Sequence, residues 1–219
     1  LDEAFVDVTE NKMGEVSAIK MASDIKKKIK ETTQLTASAG VSVNKFLAKI
    51  ASDLKKPDGL AVILPEQVVP FLEELPIEKF FGVGKATAEK MKNFGIRTGS
   101  DLKQHTRLEL AQRFGKFGAY LFDVVRGIDN RKVKPNRIRK SISSETTYSE
   151  DLKTLDDVKS SVRLLIGKLC KSCEKYGIKG KTINLKYRFN DFSTYTRSRT
   201  LGGYTYNYDI ITDLVFEML

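Results

Sequence analysis

Two glycines one residue apart, Gly82 and Gly84, break a run of helical sequence near the middle of this 219-residue chain. Glycine adopts the backbone conformations of tight turns most easily, so the pair predicts a turn between a short helix and a second helix that begins at Lys85. Such a helix-hairpin-helix presents the N–H groups and the positive dipole end of its second helix to an anion. We therefore predict that Gly82, Val83, Gly84 and Lys85 grip a nucleic-acid backbone without reading its sequence. A tight turn that only joins two packed helices is the alternative.

The residues ahead of this hairpin alternate between strand and helix patterns. Residues 4–9 alternate as in a strand, residues 60–64 form a short apolar run, and apolar residues recur three to four positions apart over 15–32. The predicted strands cover 4–9, 36–42 and 60–64, and the predicted helices cover 15–32, with one buried face, and 44–56, with Ser42 as its cap. This order makes an α/β unit over 1–65.

The residues around the hairpin are almost entirely helical in pattern. Short helices are predicted at 66–75, 77–81, 85–94, 101–104, 107–114 and 117–126. Gly95 and Gly127 follow two of these segments directly and are predicted as C-caps. Residues 66–130 are therefore predicted to form a small all-α domain.

The last third begins with a basic segment over 131–140, which has six basic and no acidic residues and a central proline. It is predicted to be a linker. A strand at 141–148, a helix at 155–176, strands at 182–189 and 193–201 and a helix from 207 are predicted to follow, one strand short of a split βαβ layout. The fold class is thus α+β with several domains.

The net charge of +10 is concentrated in the last third, where residues 131–219 contain eighteen basic and ten acidic side chains. This surplus favours a polyanionic partner, although a lysine-rich surface that only aids solubility is the alternative. On the two adjacent strands, Lys186 and Arg188 are predicted to share a face, as are Arg197 and Arg199. Such a basic two-stranded surface suits a nucleic-acid groove, and a solvent-facing sheet is the alternative.

Other features narrow the class of protein. No stretch approaches the length of a membrane span and the N-terminus lacks a signal-peptide pattern, so a cytoplasmic protein without a membrane partner is expected. Cys170 and Cys173 form a Cys-x-x-Cys without a second pair, and His105 is far away in sequence. A structural zinc site needs about four ligands, so both cysteines are interpreted as reduced thiols.

Two further features become informative only together with the rest of the chain. Asp2 and Glu3 are adjacent, and adjacent residues of a strand point to opposite faces, so both reach one metal ion only at a strand start or a hairpin. Two solvated acids are the favoured interpretation from the local sequence. Lys56 follows a helix and precedes a buried strand, where it either complements the helix dipole or neutralises charge on a metal-bound triphosphate.

Several segments resemble the Y-family DNA polymerases, the error-prone lesion-bypass class. The resemblance is carried by Leu-Asp-Glu-Ala-Phe-Val-Asp-Val at 1–8, Ser-Ala-Gly-Val-Ser-Val-Asn-Lys-Phe-Leu-Ala-Lys-Ile-Ala-Ser-Asp at 38–53, Lys-Pro-Asp-Gly at 56–59, Phe-Gly-Val-Gly-Lys-Ala-Thr-Ala-Glu-Lys at 81–90 and Arg-Ile-Arg-Lys-Ser at 137–141. It implies a partial palm over 1–65, a thumb over 66–130, a linker over 131–140 and a little finger over 141–219. The implied activity is template-directed nucleotidyl transfer in DNA repair and damage tolerance.

The resemblance also implies roles for individual residues. Asp2 and Glu3 match two of three carboxylates that hold two catalytic Mg²⁺ ions, and Lys56 matches a lysine that contacts the incoming deoxynucleoside triphosphate. Gly82, Gly84 and Lys85 match the thumb's grip on the primer or template strand. The linker and little-finger residues expected to follow the duplex are Arg137, Arg139, Lys140, Arg197 and Arg199.

The third carboxylate, the fingers and the tail that docks on a sliding clamp are expected to lie outside this chain. The expected partners are primer–template DNA, deoxynucleoside triphosphates and, for the full-length protein, the clamp, with the protein itself a monomer. We expect the chain alone to bind DNA but to polymerise poorly or not at all. A non-catalytic DNA-binding repair module is the alternative, and a ribosomal or RNA-binding protein is a weaker one.

Overall fold

The computed structural model describes residues 2–12, 14–136 and 138–219, and the chain divides into two units, Leu1–Pro135 and Asn136–Leu219. The first unit begins with helix α1 (Ala18–Thr33), strand β1 (Ala39–Val41), helix α2 (Lys45–Leu54) and strand β2 (Leu60–Val62). β1 and β2 pair in parallel, with Ala39 opposite Leu60. The connection that parallel strands need is provided by α2.

Helix α2 packs closely against this small sheet. A Cβ atom on Gly40 would lie 2.1 Å from the carbonyl oxygen of Ala48, so only glycine allows this approach. The helix is capped by Asn44, whose side chain accepts a hydrogen bond from the N–H of Leu47. The predicted cap, Ser42, is wrong, because its hydroxyl donates to the carbonyl of Ile63 instead.

The helical part of the first unit follows the predicted order. It contains α3 (Val68–Glu74), α4 (Lys85–Asn93), α5 (Gly99–Lys103) and α6 (Arg107–Val124), with 3₁₀ turns at Pro65–Gln67 and Ile77–Lys79. The two helices predicted at 107–114 and 117–126 form one element with a kink at Gly115, where φ is 63° and ψ is −146°. The predicted C-caps are confirmed, since Gly95 and Gly127 follow their helices in the left-handed region.

One hydrophobic core spans the first unit. The ring of Phe46 on α2 is fully buried and lies 5.7 Å from the ring of Phe80 and 6.3 Å from that of Tyr120. Buried side chains from α2, the sheet and the helices α3 to α6 belong to the same cluster. Helix α2 therefore joins the sheet and the helical part through shared packing.

The second unit consists of α7 (Leu155–Tyr176), β3 (Gly180–Arg188), β4 (Thr194–Thr205) and α8 (Tyr208–Glu217). β3 and β4 form an antiparallel ribbon with Leu185 opposite Arg197. Its core is small and contains Ile166, Ile183, Ile211, Val215 and Met218. On α7, burial raises the pKa of the free thiols of Cys170 and Cys173, which favours their protonated form.

Three expectations about this fold are wrong. The predicted strands at 4–9 and 141–148 do not form, because neither segment has a ladder partner among the described residues. α1 has no fully buried residue, so its apolar stripe is only partly covered.

Among the helices that the structure describes, none is both long and apolar enough to cross a membrane.

Candidate nucleic-acid and nucleotide site

The glycine hairpin lies between the 3₁₀ turn Ile77–Lys79 and α4. Gly82 has a φ of 95°, in the region that favours glycine, and a Cβ atom there would lie 3.1 Å from the ring of Phe117. Val83 points into the core and is 9% exposed, and its N–H donates to the carbonyl of Phe80. The side chain of Val83 therefore anchors the turn, and Gly84 and Lys85 beside it remain exposed.

The N-terminus of α4 is open. Gly84 is its N-cap, no side chain of the described residues caps it, and no heavy atom lies within 4 Å of a Cβ placed on Gly84. By contrast, α5, α6 and α7 are each closed by a threonine capping box, at Thr98, Thr106 and Thr154. The first-turn N–H groups of α4 are thus available to an anion.

The predicted metal ligands lie in an exposed segment without regular structure. Oε1 of Glu3 accepts a hydrogen bond from Nζ of Lys49 at 2.9 Å, and the side chain of Asp2 is exposed. Within the described residues, no group of three or more acidic, histidine or cysteine side chains could hold a metal ion. Carboxylate oxygens are the ligands that Mg²⁺ prefers, so the side chains of Asp2 and Glu3 fit this ion in chemistry and would supply two of the ligands that it needs.

Lys56 is connected to Glu3 through two intervening side chains. Nζ of Lys49 lies 3.0 Å from Oδ2 of Asp53, and Oδ1 of Asp53 lies 2.6 Å from Nζ of Lys56. For both Lys49 and Asp53, burial is the largest single influence and disfavours the charged form. The hydrogen bonds and charge interactions with neighbouring side chains together outweigh it. The pKa of Lys49 is therefore raised, and the pKa of Asp53 lowered.

The sequence did not identify Lys49 and Asp53 as residues of the candidate site. Their spacing of four residues, and the spacing of three from Asp53 to Lys56, are those at which side chains meet along a helix. The spacings alone would have suggested two ordinary surface ion pairs. Only the structure shows that Glu3, far away in sequence, joins the same row.

The predicted linker residues have different surroundings. The guanidinium of Arg139 lies over the ring of Tyr176 at 4.3 Å, a favourable cation–π distance, and Lys140 is exposed. Arg137 lies outside the described residues.

The ribbon does not combine its basic pairs into one face. Arg197 and Arg199 are opposite Leu185 and Ile183, and residues directly opposite share a face. This is the face that packs on the helices, since Ile183 belongs to the core. Nη1 of Arg197 donates to the carbonyl of Met218 at 2.7 Å.

Lys186 and Arg188 lie on the other face of the ribbon. They are opposite Thr196 and Thr194, and Nε of Arg188 donates to Oγ1 of Thr194 at 3.0 Å. The prediction of a single basic face from both strands is therefore wrong, because the register places the two pairs on opposite sides.

Comparison with known proteins places these features in one family. The model of the impB/mucB/samB family matches residues 1–53, and the model of its C-terminal domain matches residues 139–219. A third model, for the DNA polymerase-iota thumb domain, matches residues 78–129 and includes the hairpin.

The similar proteins agree with these matches. DNA polymerase IV 2 of Agrobacterium fabrum is 52% identical over 91% of the chain and 56% of its own length. DNA polymerase IV of Streptococcus thermophilus is 48% identical over the whole chain and 60% of its own length. A solved Y-family DNA polymerase chimera is 28% identical, with a TM-score of 0.75, over 92% of this chain and 58% of the chimera. The α+β fold class is confirmed, and the chain belongs to the impB/mucB/samB family of Y-family DNA polymerases.

Proposed function

We propose that the protein is a DNA-directed DNA polymerase of the error-prone lesion-bypass class, acting in DNA repair and damage tolerance. The observation that carries this proposal is the row Glu3, Lys49, Asp53 and Lys56, in which neighbouring charged atoms lie 2.6–3.0 Å apart. It links a candidate metal ligand to a candidate triphosphate ligand. The chain covers 56% and 60% of the two curated relatives described above, so the activity is proposed for the full-length protein.

Each part of the candidate site has a role in nucleotidyl transfer. Asp2 and Glu3 would hold two Mg²⁺ ions together with further ligands, and the bound ions would activate the primer 3′-hydroxyl and stabilise the leaving pyrophosphate. Lys56 neutralises charge that develops on the triphosphate. The side chains of this chain thus bind the nucleotide and orient it against the primer end.

The hairpin and the basic side chains hold the primer–template DNA. The open N-terminus of α4 and Lys85 bind a backbone phosphate, which positions the duplex but reads no bases. Arg139, Lys140, Arg197 and Arg199, with Arg137 outside the described residues, add phosphate contacts whose strength falls with salt. For the full-length protein, we further propose the sliding clamp as a partner, action as a monomer and a cytoplasmic location.

Primer extension by the full-length protein tests the metal-site assignment. Replacing both Asp2 and Glu3 by alanine should abolish extension and leave duplex binding intact, whereas Asp7→Ala, an exposed acid in the same segment, should change neither. Extension that survives the double replacement would disprove the assignment. If the unaltered full-length protein bound DNA without extending any primer, the non-catalytic repair module would be the better description.

Duplex binding tests the hairpin. Lys85→Ala should weaken binding of all sequences alike and reduce the slope of log K against log salt by about one. Lys92→Ala, at the other end of α4 where Lys92 pairs with Glu78 at 3.2 Å, is the matched control. A loss confined to one sequence would contradict a grip on the backbone.

A further inference from the structure

Two side chains of α2 lie between the candidate metal ligand and the candidate triphosphate ligand. Lys49 is only 14% exposed, and its ammonium donates to Oε1 of Glu3 and Oδ2 of Asp53. Asp53 uses its other oxygen, Oδ1, for Lys56. Negative and positive groups therefore alternate along the row, and each intervening group holds two neighbours at once.

This arrangement leaves both ends able to bind a ligand. Glu3 uses one carboxylate oxygen for Lys49, and its second oxygen, Oε2, is the one that would face a cation. The ammonium of Lys56 has three donors and directs one toward Asp53, so others can reach phosphate oxygens. The row can thus persist while cation and nucleotide are bound.

The row is attached to a rigid helix. The adjoining face of α2 carries Phe46, Leu47, Ile50 and Ala51, which are at most 4% exposed. Lys49 and Asp53 are one helical turn apart, so the packing that fixes α2 also fixes the distance between them. A mere surface ion pair would have no such support.

We propose that Lys49 and Asp53 are positioning residues for nucleotidyl transfer, with Lys49 orienting Glu3 and Asp53 orienting Lys56. This inference rests on the proposed function for the roles of Glu3 and Lys56. Neither positioning residue touches the reacting atoms, and each acts through the neighbour that it holds.

Asp53→Asn tests the nucleotide end of the row, because it keeps the shape of the side chain and removes its charge. The KM for the incoming nucleotide in the full-length protein should rise by about three- to tenfold at unchanged kcat. The Kd for the nucleotide on a dideoxy-terminated primer with Ca²⁺, which allows binding without turnover, should rise equally. A lower KM would mean that Asp53 competes with the triphosphate for Lys56, and an unchanged KM would mean that it orients nothing; either result overturns the inference.

Lys49→Met tests the other end. At saturating Mg²⁺, where removing a nearby positive charge no longer affects cation occupancy, kcat should fall by about three- to tenfold and the nucleotide KM should stay within about twofold. Lys49→Arg should recover most of the lost kcat. The control is Lys103→Met, because Nζ of Lys103 pairs with Oε1 of Glu73 at 2.6 Å and neither residue belongs to the row; it should change neither parameter.

A loss of stability would lower the fraction of active enzyme, and with it the apparent kcat, at unchanged KM. The kcat of each variant is therefore normalised to the concentration of active sites, and a fall in kcat that disappears on normalisation overturns the role of Lys49. Glu3→Gln and Lys56→Ala separate this inference from the proposed function. If those replacements leave kcat and KM unchanged, the proposed function fails. If they act as expected but Lys49→Met and Asp53→Asn do not, only the positioning roles are disproved.

Discussion

The two units differ in how they use their charged side chains. Every ion pair found among the described residues lies in the first unit, from Lys20 with Glu15 to Arg131 with Asp129. The second unit has fifteen basic and ten acidic residues. Cations lie over aromatic rings in both units, but those of the second, such as Arg139 over Tyr176 and Arg163 over Phe216, have no ion pair among its described residues beside them. A cation on a ring keeps its charge uncompensated, so the second unit is better suited to attract a polyanion through its side chains.

The two cores differ as well. Among the described residues, the first unit buries twenty hydrophobic side chains in its main cluster and the second unit buries five. A smaller core excludes less apolar surface from water and leaves less stability to lose. We therefore expect the loss of a single contact or helix cap to remove a larger fraction of the stability of the second unit than of the first.

The largest expected effect is that of Phe46→Ala. This side chain is fully buried and joins α2 to the helical part of the first unit, so its loss should lower the free energy of unfolding of that unit by about 3–5 kcal/mol. Hydrogen exchange of the α2 amides, combined with urea denaturation, measures the change. Phe189→Ala, at a side chain 55% exposed in the second unit, should have an effect within about 0.5 kcal/mol, and equal losses would refute the assignment of Phe46 to the core.

Ile211→Ala should be the most damaging small change in the second unit. Ile211 is 2% exposed and its neighbour Ile210 is 48% exposed, so the two form a matched pair on one helix. Truncating the buried side chain should destabilise the unit by roughly 2–3 kcal/mol, and truncating Ile210 should have little effect. Exchange rates of the α8 amides distinguish the outcomes, and similar acceleration in both variants would contradict the described packing.

Asp129→Asn tests the charge network of the first unit. The side chain of Asp129 is only 1% exposed, and its oxygens accept hydrogen bonds from Arg131 and from the N–H of Phe46. Burial, the largest influence, raises the pKa of Asp129, but these hydrogen bonds outweigh it and hold the pKa below its ordinary 3.8. The replacement should destabilise the unit by about 1–2 kcal/mol at neutral pH.

The same replacement should alter the pH dependence. Because the folded pKa is depressed, the contribution of Asp129 is complete above 3.8 and is lost as the pH falls through the folded value. The difference in unfolding free energy between the unaltered chain and Asp129→Asn should therefore shrink in strong acid. A difference that stays constant from neutral pH to pH of about 2 would show that the charge contributes nothing.

The smallest expected effects are those of the helix caps. Thr154→Ala in the second unit and Thr106→Ala in the first each remove a capping box and should each lower stability by about 1 kcal/mol. The same loss should shift the thermal midpoint of the second unit more, because a smaller unit has a smaller entropy of unfolding. Equal shifts in both midpoints would weaken the contrast between the units.

The sequence predicts the structure correctly wherever a short segment determines its own conformation. The periodic pattern, Thr154 and Gly177 define α7 at both ends, and the glycine pair predicted the hairpin. The alternating pattern at 4–9 predicts a strand, but alternation indicates only which side chains a strand would bury. A strand also needs a neighbour to accept and donate its hydrogen bonds, and no local pattern reports one.

For the candidate site, local sequence is enough to predict the open N-terminus of α4, because Gly84 has no side chain to close it, and to predict the excess of positive charge in the last third. The other features depend on contacts between distant parts of the chain. The tertiary structure brought Glu3 to Lys49 and showed that Arg197 and Arg199 face away from Lys186 and Arg188. The physical reason is that caps, turns and net charge depend on near neighbours in sequence, whereas ion pairs across the fold and strand register depend on how the whole chain packs.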